Sequence, residues 1–239
     1  MTTFQAVSAG SDPIIAITPD CATEASAPTE AAYVIRMNYA AALASAGALP
    51  IVLPYMPDRI AEIVERFDGF LISGSTPGVS EIAGRTNFEM ALITAAMGAG
   101  KPVMGICNGM QMIGLALDGT LIGRLDPPAP GGPDHLPERW PVNLAHSVTV
   151  SPGSRLARLA CIPSLRVNSL HRQAIEQSGR FRVVATAADG VVEAIEGLGP
   201  GYMLATQWHP EYLLTELDRA LLADFVAAAR RVTEATQHG

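Results

Sequence analysis

The chain is poor in cysteine, in aromatic residues and in charge, and each shortage excludes something. Three cysteines, at 21, 107 and 161, stand among 239 residues. An odd and sparse set rules out a secreted disulfide scaffold and suits a reduced, cytoplasmic setting. No Cys/His spacing resembles a zinc motif, so no metal and no cofactor is expected. Charged residues make up only 16%, with a net charge of -7. No Lys/Arg cluster marks a nucleic-acid surface. No run reaches the roughly 20 apolar residues of a membrane span, and residues 1–11 lack the charged start and apolar core of a signal peptide.

What is abundant is apolar residues, at 49%. That is enough for a sizeable core, and nothing divides residues 1–239 into separate domains. Residues 13–18 (PIIAIT), 49–53 (LPIVL), 69–72 and 102–106 read as buried strands. They alternate with helical patterns over 31–46, 58–67, 87–98 and 109–117. Such alternation predicts parallel βαβ units in a covered sheet. Residues 21–28 read as a loop. Residues 126–141 hold six prolines and no periodicity, which predicts a long lid or mobile insertion. Strands follow at 145–150, 181–186, 190–196 and 202–207, the last two as a hairpin. A helix over 216–232 and a disordered tail complete the pattern.

The segment VMGICNG, residues 103–109, places Cys107 where a buried strand meets a helix. Glycines stand two residues to either side, as a sharp strand-to-helix turn requires. The turn would expose the thiol at the carboxyl edge of the sheet, where open α/β sheets hold their ligands. The helix N-terminus there favours a thiolate, and the Asn108 amide can meet a developing oxyanion. Taken alone, this segment fits a small core thiol equally well. Cys21 reads as an exposed loop cysteine and Cys161 as a semi-buried filler.

A thiolate enzyme needs a base that later protonates the leaving group, and a residue that orients it. Of five histidines, His209 suits best. QWHPE, residues 207–211, follows a strand, Pro210 stops that strand, and Glu211 can turn back to accept the imidazole N–H. A strand-capping histidine and a first-turn helix acid are the plainer readings of these two residues. They weaken once Cys107 supplies the third part of one mechanism.

GICNGMQ around Cys107 and QWHPE around His209 resemble the paired signatures of class I glutamine amidotransferases. RVNSLHRQAI (166–175), DGVVEAIE (189–196) and YVIRMNYAAALASAGALPIVLP resemble the branch containing γ-glutamyl-γ-aminobutyrate hydrolase, of the peptidase C26 type. The resemblance covers residues 12–228 and leaves 229–239 as a tail. It implies a flavodoxin-like three-layer α/β sandwich, with a mostly parallel central sheet and an added antiparallel section. It implies a Cys107–His209–Glu211 triad that cleaves a γ-glutamyl amide through a thioester. The oxyanion hole would use amides of Asn108 and of the turn at Gly74 and Ser75. Gln111 would brace the loop or fix the glutamyl end. Asn168, Ser169 and His171, in a polar loop before a short helix, would line the pocket and hold the glutamyl α-groups. Glu89 would make structural hydrogen bonds.

Three positions depart from the branch pattern: Asn108 where arginine is usual, SGSTPG after the third strand, and His171–Arg172 where two histidines are usual. The expected partner is a small γ-glutamyl compound, with no nucleic acid and no membrane. A homodimer and a separate synthase partner stay open. So do three activities: a free-standing γ-glutamyl hydrolase, a glutaminase subunit feeding a synthase, and a catalytically silent binding relative.

Overall fold

The computed structural model describes residues 12–24, 27–75, 83–125, 130–137 and 141–237. The N-terminal part runs β1 (Ile14–Thr18), β2 (Asp20–Glu24), β3 (Ala27–Val34), α1 (Met37–Ser45), β4 (Leu49–Val52), α2 (Ile60–Arg66), β5 (Gly69–Ile72), α3 (Ala83–Gly98), β6 (Val103–Ile106) and α4 (Asn108–Ala116). Then come β7 (Leu121–Ile122), β8 (His146–Val150), α5 (Arg155–Ala160), β9 (Ser164–Val167), β10 (Ala174–Ile175), β11 (Phe181–Ala187), β12 (Val192–Gly197), β13 (Met203–Thr206) and α6 (Glu216–Gln237).

Nine strands form one sheet in the order β4-β1-β5-β6-β13-β12-β11-β8-β9. The first five run parallel and the last four pair antiparallel. The parallel part has the flavodoxin-like order 2-1-3-4-5. One face packs Ala42 and Leu43 of α1 and Leu221 and Phe225 of α6. The other packs Ile63 of α2, Phe88 and Leu92 of α3, and Met110 and Ile113 of α4. The outcome is the expected three-layer sandwich with its antiparallel addition.

Several local expectations are corrected. Residues 21–34 are not a loop leading into a helix. Asp20–Glu24 and Ala27–Val34 pair antiparallel, with Cys21 opposite Tyr33, so strand pairing overrides the helical preference of the alanines. The helix starts only at Met37, after Arg36 in an extended conformation. β4 is not buried: it lies at the sheet edge, with Leu49, Ile51 and Val52 exposed. The cysteines trade places, for Cys21 is buried and Cys161 exposed. The first lies in the hairpin opposite Tyr33, and the second ends α5, a helix capped by Ser154 Oγ, which accepts from the Ala157 amide at 2.9 Å. A strand, Ala174–Ile175, stands where a short helix was expected after residue 171. The final helix reaches Gln237 in place of a tail from 233.

The proline-rich segment is tied down in its described part. The His135 carbonyl accepts from the His171 amide at 2.8 Å and from Ser169 Oγ at 2.7 Å. Residues 76–78 of the expected glycine turn, with 126–129 and 138–140 of the proline-rich segment, lie outside the described residues.

Candidate active site

Parallel strands end at one edge, and three of those ends supply the site. β5 leads into Ser73, Gly74 and Ser75, β6 into Cys107, and β13 into Gln207, Trp208 and His209. Cys107 adopts φ 54° and ψ -108°, a conformation that costs a residue with a Cβ about 1–3 kcal/mol. Its neighbours hold it there. The Cys107 amide donates to Thr206 O at 2.8 Å, and its carbonyl accepts from the Met110 and Gln111 amides. A Cβ on Gly105 would stand 2.6 Å from Ile113 Cδ1, and one on Gly109 would stand 1.9 Å from the Ile72 carbonyl oxygen. The two glycines let α4 turn back directly over the sheet.

His209 is clamped through its own backbone. Asn168 Oδ1 accepts from the His209 amide at 2.8 Å, and Asn168 Nδ2 donates to the His209 carbonyl at 3.0 Å. His209 Nδ1 lies 2.8 Å from Glu211 Oε1 in a buried pair. That bond leaves Nε2 without a hydrogen-bond partner among the described residues, while Cys107 Sγ lies 3.9 Å from the Leu170 carbonyl. Burial alone disfavours the imidazolium. The carboxylate of Glu211 and the sulfur of Cys107 outweigh it and push the His209 pKa up to about 10. A charged ring paired with Glu211 suits a relay in which His209 carries a proton to and from a group attacked by Cys107.

Below the trio, Arg85 braces the Ser73–Gly74 turn. Its guanidinium pairs with Asp20 at 2.8 Å and Glu89 at 3.0 Å, and donates to Ser73 O at 2.8 Å. Thr18 Oγ1 also donates to Glu89, at 2.6 Å. The Gly74 amide donates to the Tyr39 hydroxyl at 3.0 Å. Burial, and then the charges of Glu211 and Cys107, raise the Tyr39 pKa well above that of an ordinary phenol. In this conformation the Gly74 amide is therefore engaged rather than open to an oxyanion.

A cavity of about 480 Å³ opens beside Cys107, lined by Ser75, Asn108, Gln111 and His171 among others. Gln111 donates to Gln173 O at 3.0 Å and Gln207 Oε1 at 3.1 Å, so it braces the wall. Two expected pocket residues stand behind that wall. Asn168 and Ser169 are buried, with their side chains on the backbones of His209 and His135. His171 keeps its place beside the cavity, with Nδ1 on Gln173 O and only Nε2 turned inward to Glu193.

The fold is of the class I glutamine amidotransferase-like type. The chain belongs to the peptidase C26 family, whose model matches residues 13–211. A glutamine amidotransferase-like protein of Rickettsia prowazekii is 28% identical, over 92% of this chain and 99% of its own. The γ-glutamyl-γ-aminobutyrate hydrolase PuuD of Escherichia coli is 31% identical, over 82% of this chain and 86% of its own. Among solved structures, the glutaminase domain of Trypanosoma brucei CTPS superposes with a TM-score of 0.64 at 15% identity, covering 92% of this chain and 94% of that domain. The last likeness concerns the fold alone. Family and relatives make the chain an amidohydrolase. Among the described residues no helix is long and apolar enough to cross a membrane.

Sequence reasoning missed Tyr39, which carries no signal on an alanine-rich helix. It also missed Glu193, whose signal was available: an acid in the middle of the apolar strand VVEAIE needs a buried partner.

Proposed function

We propose that this chain hydrolyses the γ-glutamyl amide bond of a small γ-glutamyl compound through a thioester on Cys107. The observation that carries the reading is the buried His209–Glu211 pair standing with Cys107 against the Gly74 turn, where Cys107 lines a cavity. The thiolate of Cys107 attacks the γ-carbonyl carbon, and the carbonyl electron pair moves to oxygen. Amides in the first turn of α4 have no intrahelical acceptor, so the Asn108 N–H is available to that oxyanion. Collapse breaks the C–N bond while His209 Nε2 gives its proton to the leaving nitrogen. Water then loses a proton to His209, attacks the thioester and releases glutamate and the thiolate. Arg124 and Arg172, on the cavity lining, bring guanidinium groups suited to a carboxylate of the substrate.

A second reading is a glutaminase that hands ammonia to a separate synthase, and the amidotransferase-like relative favours it. One experiment separates the two. Purified protein is incubated with glutamine and a panel of γ-glutamyl amines, and glutamate and ammonia are both measured. The hydrolase reading expects glutamate without ammonia from at least one γ-glutamyl amine. Equal glutamate and ammonia from glutamine alone supports the glutaminase. Folded protein that releases neither, and that an electrophilic glutamine analogue fails to label at Cys107, sinks both.

A further inference from the structure

Four buried side chains apart from the trio converge on one point. His135 comes from the proline-rich segment, His146 opens β8, His171 lies between β9 and β10, and Glu193 lies in β12. Their ligand atoms all fall within 4.8 Å of one another. Glu193 Oε1 stands 3.2 Å from His135 Nδ1, 3.3 Å from His146 Nε2 and 3.5 Å from His171 Nε2. The three histidine side chains are 7%, 4% and 2% exposed, and that of Glu193 is 0% exposed.

The outward nitrogens of these rings each face an acceptor. His135 Nε2 lies 2.9 Å from Asp189 Oδ2, His171 Nδ1 3.0 Å from Gln173 O, and His146 Nδ1 3.5 Å from Ser147 O. A neutral imidazole has a single N–H. Donated outward, it leaves a lone pair aimed at the centre, where the carboxylate adds acceptors only. His135 Nδ1, His146 Nε2, His171 Nε2 and both Glu193 oxygens have no hydrogen-bond partner. Buried acceptors facing one another call for a cation. One proton would satisfy one nitrogen and leave two lone pairs facing the carboxylate. Three protons would crowd three imidazoliums, with ring centroids 4.7 and 4.8 Å from that of His135, around one carboxylate. A single ion about 2.0–2.1 Å from each of four tetrahedral ligands sets those ligands about 3.4 Å apart. The three distances from Glu193 match that spacing.

We propose that His135, His146, His171 and Glu193 form a closed four-coordinate site for a divalent transition-metal ion, zinc in first place. Imidazole and carboxylate ligands suit zinc. Four protein ligands leave no open position, so the site is structural rather than catalytic. The outward acceptors are the partners that metal-bound histidines use to fix their orientation. The ion would join four separate segments and pin one wall of the cavity. His171, Arg172 and Gln173 line that wall, and the Leu170 carbonyl lies 3.9 Å from Cys107 Sγ. The inference rests on this geometry and not on the proposed reaction.

The test is metal analysis of the full chain produced in zinc-supplemented medium. About one zinc per chain is expected. Stripping with a chelator should lower Tm, returning zinc should restore it, and cobalt should give the intense visible bands of a tetrahedral ion. Glu193→Gln should abolish binding. Asp189→Asn leaves all four ligands in place, so it should fold normally and bind zinc about 10–100-fold more weakly. Cys107→Ala should retain the metal in full. The proposal is overturned if folded wild-type protein, isolated or stripped and refilled, binds neither zinc nor cobalt. It is equally overturned if bound zinc is lost in Cys107→Ala, or persists undiminished in both Glu193→Gln and Asp189→Asn.

Discussion

Cys107 and Cys161 share a backbone oddity and differ in everything around it. Both have positive φ, 54° and 57°. Cys161 closes α5 with ψ 6°, in the left-handed region where many helices end. It is exposed, and its amide donates to Ala157 O at 3.1 Å. Cys107 opens α4 with ψ -108°, outside that region, and is 6% exposed. Hydrogen bonds to β13 and α4 fix its backbone, and two glycines clear its path. At the helix end the unusual torsion belongs to the turn and any small residue can serve. At the helix start it sets the thiol on the cavity lining, and the surrounding structure over-determines it.

The largest effect expected is on turnover. Cys107→Ala should lower kcat by about 10⁴-fold or more on the reading given above, because triad members act as a unit. Circular dichroism should show an unchanged fold. Cys161→Ala should leave kcat unaltered. Full activity in the first variant, or a large loss in the second, would break the contrast between the two cysteines.

A smaller loss is expected at Gly74, the other wall of the trio. A Cβ there would stand 2.8 Å from the Tyr39 hydroxyl and 3.4 Å from both Cys107 Cβ and His209 Cε1. Displacing reacting groups by fractions of an ångström costs rate steeply, so Gly74→Ala should lower kcat/KM on the order of 10²-fold. Adding Tyr39→Phe removes the clashing oxygen and should recover part of the loss. No recovery in the double variant would place the cause elsewhere than this contact.

His209 gives the Cys107 site a pH signature. Its pKa is raised to about 10 in the folded chain, against about 6.5 in an unfolded one. The stabilisation is therefore fully present below about pH 6.5 and is lost as pH rises through about 10. The Tm advantage of the wild type over His209→Gln should shrink across that window. A His209 advantage that grows with pH would mean that the ring is neutral between Glu211 and Cys107.

The parallel half was legible because each part carried a local sign. Cys107, His209 and Glu211 each follow an apolar run cut short by Gly or Pro, and the alternation of runs with helical patterns set the sheet. What escaped was non-local. The β2–β3 hairpin pairs residues whose alanines favour a helix, and burial of Cys21 follows from that pairing. The apolar run of β4 looks the same at an edge as in the middle of a sheet. The cluster of His135, His146, His171 and Glu193 draws on four segments spread over almost 60 residues, so no short spacing reveals it. Asn168 and Ser169 read as polar pocket residues, whereas their polarity satisfies buried backbone groups.

The smallest effect separates the two cysteines on stability alone. Comparing Gly with Ala at one position removes the thiol from both variants and leaves only the Cβ in question. At 161 the left-handed well is accessible to alanine at a cost of roughly 1 kcal/mol, offset in part by the greater freedom of an unfolded glycine chain. Cys161→Gly should therefore melt about 1–2 °C above Cys161→Ala. At 107 the torsions lie outside that well, the strain is about 1–3 kcal/mol, and Cys107→Gly should exceed Cys107→Ala by a wider margin, about 2–4 °C. Equal margins at the two sites would mean that the Cys107 turn relaxes once its sulfur is gone, and that the thiol itself, rather than the flanking glycines and the strand, holds the backbone in its unusual conformation.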